Sequence, residues 1–178
     1  MVTQPVFIEE SDAQVGDLVF AHSPGLMGRA IRLGERIKKP WRKGSRWNHV
    51  AIVDLIDRDG KVYVIQAEAK GVTNHRTLEQ VAPGGELQLV ANNMATDDVA
   101  QMMLFARGEV GAKYGWLTIL AIVVAILTPD WFTFRRPGTW ICSALVAESL
   151  RCGAAIVRWP DIYEVTPAQV WEALGLSS

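Results

Sequence analysis

The chain has 178 residues, a length that suits one domain, here 1–178, with a full hydrophobic core. At 49% hydrophobic and 21% charged it is not a disordered chain. Its 18 basic residues stand against 19 acidic ones, and a net charge of −1 argues against general nucleic-acid binding.

Residues Met1 to Asp12 carry neither a basic n-region nor an apolar h-region, so no secretory signal is expected. The protein is then cytoplasmic at synthesis and reaches any other place by lysis, by another route or within a larger particle. Val15 to Ala21 reads as a turn followed by a short strand, and Leu26 to Gly34 as a short helix with one apolar side. Arg36, Lys38, Lys39, Arg42, Lys43 and Arg46 form a basic run that leads into Trp47-Asn48-His49. Such a run is first a solvated face; the alternative is a wall for anionic substrate or lipid headgroups.

His49 opens a β-branched strand through Leu55, and Asp57-Arg58-Asp59-Gly60 is a hairpin signal. Lys61 to Glu68 returns as its partner. A two-residue turn sets Glu68 opposite His49 or opposite Ala51, and in both registers the two side chains share a sheet face. A bulge or an odd-length loop would separate them onto opposite faces.

Asp97 to Glu109 has helical periodicity through Val99, Met102, Met103 and Ala106, with Thr96 as the expected cap. Trp116 to Thr128 is uncharged and apolar all round, but about 13 residues at roughly 1.5 Å each span only some 20 Å. It reads as a buried core helix. Its lack of a polar face leaves oligomer, particle or lipid-surface contact as the alternative. Asp130 to Arg136 is an aromatic-rich connection.

Pro137-Gly138-Thr139 reads as a helix start with Thr139 as N-cap, and Leu145, Val146 and Leu150 recur at helical spacing until Gly153. Cys142 then lies in the first turn. There the free N–H groups and the helix dipole favour a thiolate. Cys152 is ten positions on and faces elsewhere, so a disulfide is excluded and no oxidising compartment is demanded. Pro167 starts a last helical turn or two through Val170, Trp171 and Leu174.

A thiol at a helix start, a histidine on a strand and a carboxylate on the adjacent strand make a nucleophile, a base and an orienter. Cys142, His49 and Glu68 hold these roles. No spacing resembles a zinc motif, so neither metal nor cofactor is expected.

The runs Gly16-Asp17-Leu18-Val19-Phe20, Trp47-Asn48-His49-Val50-Ala51-Ile52-Val53, Glu68-Ala69-Lys70-Gly71-Val72, Lys113-Tyr114-Gly115-Trp116 and Cys142-Ser143-Ala144-Leu145-Val146, with Gly153, follow one another between about Val15 and Thr166. Together they resemble the circularly permuted branch of the NlpC-like, papain-like cysteine hydrolases. In that branch the histidine precedes the cysteine, as it does in the related lecithin:retinol acyltransferase-like proteins. The resemblance implies an α+β fold, a small antiparallel sheet or partial barrel carrying His49 and Glu68 and packed on the Cys142 helix. It puts the nucleophile at Cys142, the base at His49 and the polar third residue at Glu68, with Gln66 as the weaker candidate. Tyr114 and Trp47 are the residues expected to line the substrate site, whereas His22 and His75 match nothing catalytic.

The implied activity is thiolate attack on an amide or peptide bond, in bacterial or phage cell-wall peptidoglycan, through a thioester. A lipid or acyl-ester hydrolase or acyltransferase uses the same chemistry. A non-catalytic component of a phage or other particle is the reading from a different class.

Overall fold

The computed structural model describes residues 6–22, 46–115, 139–153, 162 and 165–176. Among them the element order is β1 (Phe7–Ile8), β2 (Leu18–His22), β3 (His49–Ile56), β4 (Val62–Glu68), β5 (Gly71–Thr77), α1 (Leu78–Val81), β6 (Glu86–Val90), α2 (Thr96–Gly108), β7 (Lys113–Tyr114), β8 (Thr139–Trp140), α3 (Cys142–Cys152) and α4 (Pro167–Ala173). The fold is α+β. Six antiparallel strands form one sheet in the order β1-β6-β2-β3-β4-β5, and β7 and β8 form a separate parallel pair.

Strands β2, β3 and β4 read as apolar runs because both sheet faces are covered. On one face Leu18, Phe20, Val50, Ile52, Ile65 and Ala67 pack with residues of α2, α3 and α4, among them Met102, Leu145 and Trp171. On the other, Val19, Ala21, Ala51, Val53, Val62 and Val64 pack with Leu78 and Val81 of α1. Each large apolar side chain so buried contributes roughly 1.5–3 kcal/mol. That sandwich is what holds α3 against the start of β3.

The β3–β4 hairpin departs from the two-residue turn in two ways that cancel. Asp57 N–H donates to Lys61 O (3.0 Å), closing a loop with Gly60 at φ +80°. That leaves the odd number of residues Arg58, Asp59 and Gly60 in the turn, with glycine in the left-handed position such loops require. A bulge between Val53 and Leu55 then shifts the register by one. Beyond it Ile52 pairs with Ile65, and continuing that ladder brings His49 level with Glu68, on the face shared by Gln66. The buried Asp54 marks the bulge. It accepts from Arg107 Nε at 2.7 Å and from Asn74 Nδ2 at 3.3 Å.

Two helix starts differ from expectation. Ala95, not Thr96, is the N-cap of α2, and no side chain caps it. Thr139 is not a cap but a strand residue paired with Lys113, so the cap of α3 falls on Ile141 and the helix begins at Cys142 itself. Pairing to β7 holds Thr139 and Trp140 extended, which overrides the local preference of threonine for a cap. At α4 the signal holds: Thr166 accepts from Gln169 N, Gln169 answers through its side chain, and Pro167 occupies the first turn.

The segments Leu26–Gly34, Trp116–Thr128, Asp130–Arg136 and the basic run before Arg46 lie outside the described residues. Among the described residues no helix is long and apolar enough to cross a membrane.

Candidate active site

The approach to Cys142 is fixed on both sides. Lys113 and Tyr114 of β7 pair in parallel with Thr139 and Trp140, and Gly115 N–H donates to Trp140 O at 3.0 Å. The Trp140 indole N–H donates to Glu109 Oε2 (2.7 Å), while its ring meets Phe105 edge-on at 5.7 Å. From Cys142 onward α3 is buried on nearly every side. Even its hydroxyls are bonded, Ser143 Oγ to Val165 O at 2.5 Å and Ser149 Oγ to Leu145 O at 2.7 Å. A helix this completely enclosed has one fixed N-terminus, and Cys142 is its first residue.

The sulfur meets the first residue of β3. Cys142 and His49 are hydrogen-bonded through their side chains, and the backbone N–H groups of Val50 and Ser143 also point at the sulfur. On its other side the imidazole donates from Nε2 to Gln66 Oε1 at 2.6 Å, which leaves Nδ1 for the sulfur. Burial alone pushes the Cys142 thiol up, but the charge and hydrogen bond of His49, with the two N–H groups, bring it below the usual thiol range. Burial pushes His49 down, and the charge and hydrogen bond of Cys142, followed by Gln66 and Glu68, more than offset that and raise it. Opposite shifts with each partner among the other's causes show that the two groups are electrostatically coupled, each favouring the charged form of the other.

Tyr114 lies near enough to Cys142 to feel its charge. Burial first, and the negative charge of Cys142 second, hold its phenol well above the ordinary range, so it stays a neutral O–H donor. Trp47 is placed differently from expectation: only 1% exposed, its ring packs at 5.3 Å from Trp171 and 6.4 Å from Phe20. It is a core residue that braces the segment before His49. Arg46 lies over that ring at 4.3 Å.

The residue bonded to the imidazole is Gln66, which the sequence ranked second. Glu68, two residues on along β4, lies behind it: Gln66 Nε2 donates to Glu68 Oε2 at 3.4 Å, and the carboxylate reaches His49 through its charge. Arg76 of β5, which nothing in the sequence singled out, pairs with Glu68. His22 ends β2 with Nδ1 donating to Arg46 O at 2.8 Å, and His75 is exposed on β5. Among the described residues no cluster of His, Cys, Asp and Glu is arranged to hold a metal ion. No protein-family model matches the chain, and no curated protein shows significant similarity to it.

The two thiols should part sharply in reactivity. Cys152, at the far end of α3, is held above the usual thiol range by burial and then by Glu148. With iodoacetamide near neutral pH, Cys142 should be modified at least about tenfold faster, a difference of one pKa unit or more in thiolate availability. The Cys142 rate should persist below the ordinary thiol range and fall only as pH drops through its lowered pKa. Peptide mass analysis measures both sites; preferential labelling of Cys152 would contradict the pairing.

Proposed function

We propose that the protein is a cysteine hydrolase of the permuted NlpC-like, papain-like type, acting on an amide or peptide bond in cell-wall peptidoglycan. One observation carries this reading: a cysteine at the first residue of a buried helix, hydrogen-bonded to a histidine whose other ring nitrogen is held by a side-chain amide oxygen. The substrate class follows from the resemblance of the five sequence runs, and the chemistry from the residues.

In this mechanism the Cys142 thiolate attacks the carbonyl carbon, and the carbonyl electron pair moves onto oxygen. As the first residue of α3, Cys142 has a backbone N–H without an intrahelical acceptor, available to the developing oxyanion. His49, as imidazolium, gives its proton to the leaving amine, and the C–N bond breaks to leave a thioester on Cys142. Water then attacks the thioester with His49 as general base, releasing the acid and restoring the thiolate pair. Gln66 keeps Nε2 protonated and the ring aimed at the sulfur throughout.

Intact-mass analysis after incubation with peptidoglycan fragments and, separately, with phospholipid vesicles tests the assignment. The expected result is a peptidoglycan-derived acyl adduct that maps to Cys142, with cleaved fragments in solution. An adduct from phospholipid instead would move the substrate to acyl esters. No adduct and no cleavage with either, while Cys142 remains alkylatable, would favour the non-catalytic particle component.

A further inference from the structure

The third member of this site is an amide, and an amide has two unlike ends. Gln66 presents its oxygen to His49, accepting from Nε2–H at 2.6 Å. Turned over about its last side-chain bond, it would present N–H groups instead, favour a bare Nε2 and disfavour the imidazolium that the thiolate needs. The side chain alone does not choose between these arrangements. Its surroundings do: Gln66 Nε2 donates to Glu68 Oε2 at 3.4 Å, and that carboxylate accepts from Arg76 Nε and Nη2, both at 3.3 Å. An ionised carboxylate only accepts, so it satisfies the NH2 end of the amide and rejects the oxygen end.

The strand geometry brings the three side chains together. Gln66 and Glu68 are two apart on β4 and share a face. Arg76 joins them through a bulge: Gln66 pairs with Thr73, but past an irregularity on β5 Val64 pairs with Arg76. Without the extra residue Arg76 would fall opposite Tyr63, on the other face. Both charged side chains are partly shielded, at 21% exposure for Glu68 and 33% for Arg76.

We propose that Glu68 and Arg76 are positioning residues that lock the Gln66 amide with its oxygen toward His49, acting on the catalytic pair through Gln66. The inference rests on the cysteine-hydrolase reading and adds to it a second tier that sets the orientation of the first. Among the described residues, the titratable and polar groups acting on His49 are Cys142 from α3, Gln66 and Glu68 from β4, with Arg76 of β5 behind Glu68. Tyr114 of β7, a neutral phenol, is within electrostatic reach of Cys142. Glu68 also acts on the imidazole directly through its charge, and the double variant below separates that effect from the one carried by the amide.

The test needs no substrate. The iodoacetamide rate of Cys142 is followed from roughly pH 4 to pH 9, a window that brackets ordinary imidazole and thiol titration, with Cys152 as internal reference. Glu68→Met removes the acceptor at nearly constant volume. It should slow Cys142 alkylation below neutral pH by about tenfold, equivalent to a rise of about one unit in the apparent thiol pKa. Gln66→Ala should give a similar loss, and the double variant Gln66→Ala/Glu68→Met should be no slower than Gln66→Ala. Glu68→Gln keeps an oxygen for Arg76 to hold and should retain most of the rate. Arg76→Met should lose less than Glu68→Met, in the same direction and again not beyond Gln66→Ala; it carries the test if Glu68→Met does not fold.

Additive losses in the double variant would mean that Glu68 acts on His49 by direct charge, and an unchanged rate in Glu68→Met would mean that it does not act; either overturns the inference. His49→Ala separates the two levels. If it leaves low-pH alkylation of Cys142 intact, the catalytic pair itself is refuted. If it abolishes that reactivity while Glu68→Met has no effect, the pair stands and only the positioning role falls.

Discussion

Cys142→Ala is expected to remove both the acyl adduct and measurable turnover of peptidoglycan fragments, and His49→Ala to come close to it. In serine proteases loss of the activated nucleophile costs on the order of 10⁶ in kcat, and in general loss of a general acid–base alone costs about 10²–10⁴. In the proposed mechanism His49 serves both tasks, since its charge and hydrogen bond also lower the pKa of the thiol. The two effects should therefore not add: a Cys142→Ala/His49→Ala double variant should be no worse than Cys142→Ala. Wild-type kcat/KM should in turn follow a bell. The acid limb is the protonation of Cys142, at a pKa lowered by His49; the alkaline limb is the loss of the His49 proton, at a pKa raised by Cys142. His49→Ala retaining more than about a tenth of wild-type turnover would leave no room for the general-acid role.

Gly71→Ala is expected to be the most damaging single-methyl change in the sheet. Gly71 sits at φ +121°, and a Cβ there would lie 2.5 Å from the carbonyl oxygen of Ala112. That oxygen accepts from Val72 N–H at 2.9 Å, and Gly111 N–H donates back to Val72 O at 2.9 Å. The methyl group thus meets backbone that is itself bonded and cannot swing aside. Backbone strain of about 1–3 kcal/mol and a similar overpacking cost together predict a loss of roughly 2–6 kcal/mol. For a chain of this size that lowers Tm by on the order of 10 °C. Gly60→Ala is the control: its φ is +80°, but a Cβ there meets nothing within 4 Å. It should cost only the strain, about 1 kcal/mol. Since Ala112 leads directly into β7, Gly71→Ala should also disturb Tyr114, and comparable melting of the two glycine variants would refute the close-approach argument.

Much of the site was legible because its parts have local signatures. The helix after Gly138, the strand after His49 and the hairpin at Asp57–Gly60 are all marked by spacing and turn chemistry, and each exists close to its expected place. Cys142 at a helix start and His49 at a strand start followed from those elements alone. The shared face of His49 and Glu68 was also anticipated, although from an even turn. The odd loop and the bulge at Asp54 each reverse the face once, and two reversals leave it unchanged. Turn residues announce a loop, but not the ladder irregularity that compensates for it. That irregularity is held by Arg107, 53 residues away in the chain.

By itself, then, the order of residues determined the elements and the chemical candidates, since capping, periodicity and turn preference act over a few neighbouring residues. Which polar side chain touches the imidazole was a tertiary decision. Gln66 and Glu68 share one face of β4, and only the approach of β3 and the pairing of Arg76 with Glu68 put the amide in front and the carboxylate behind. The same holds for Thr139, an adequate cap taken into a strand because Lys113 is there to pair with it. It holds as well for Trp47, drawn into the core by Phe20 and Trp171. In each case a long-range contact of a few kcal/mol outweighs a local preference of about one.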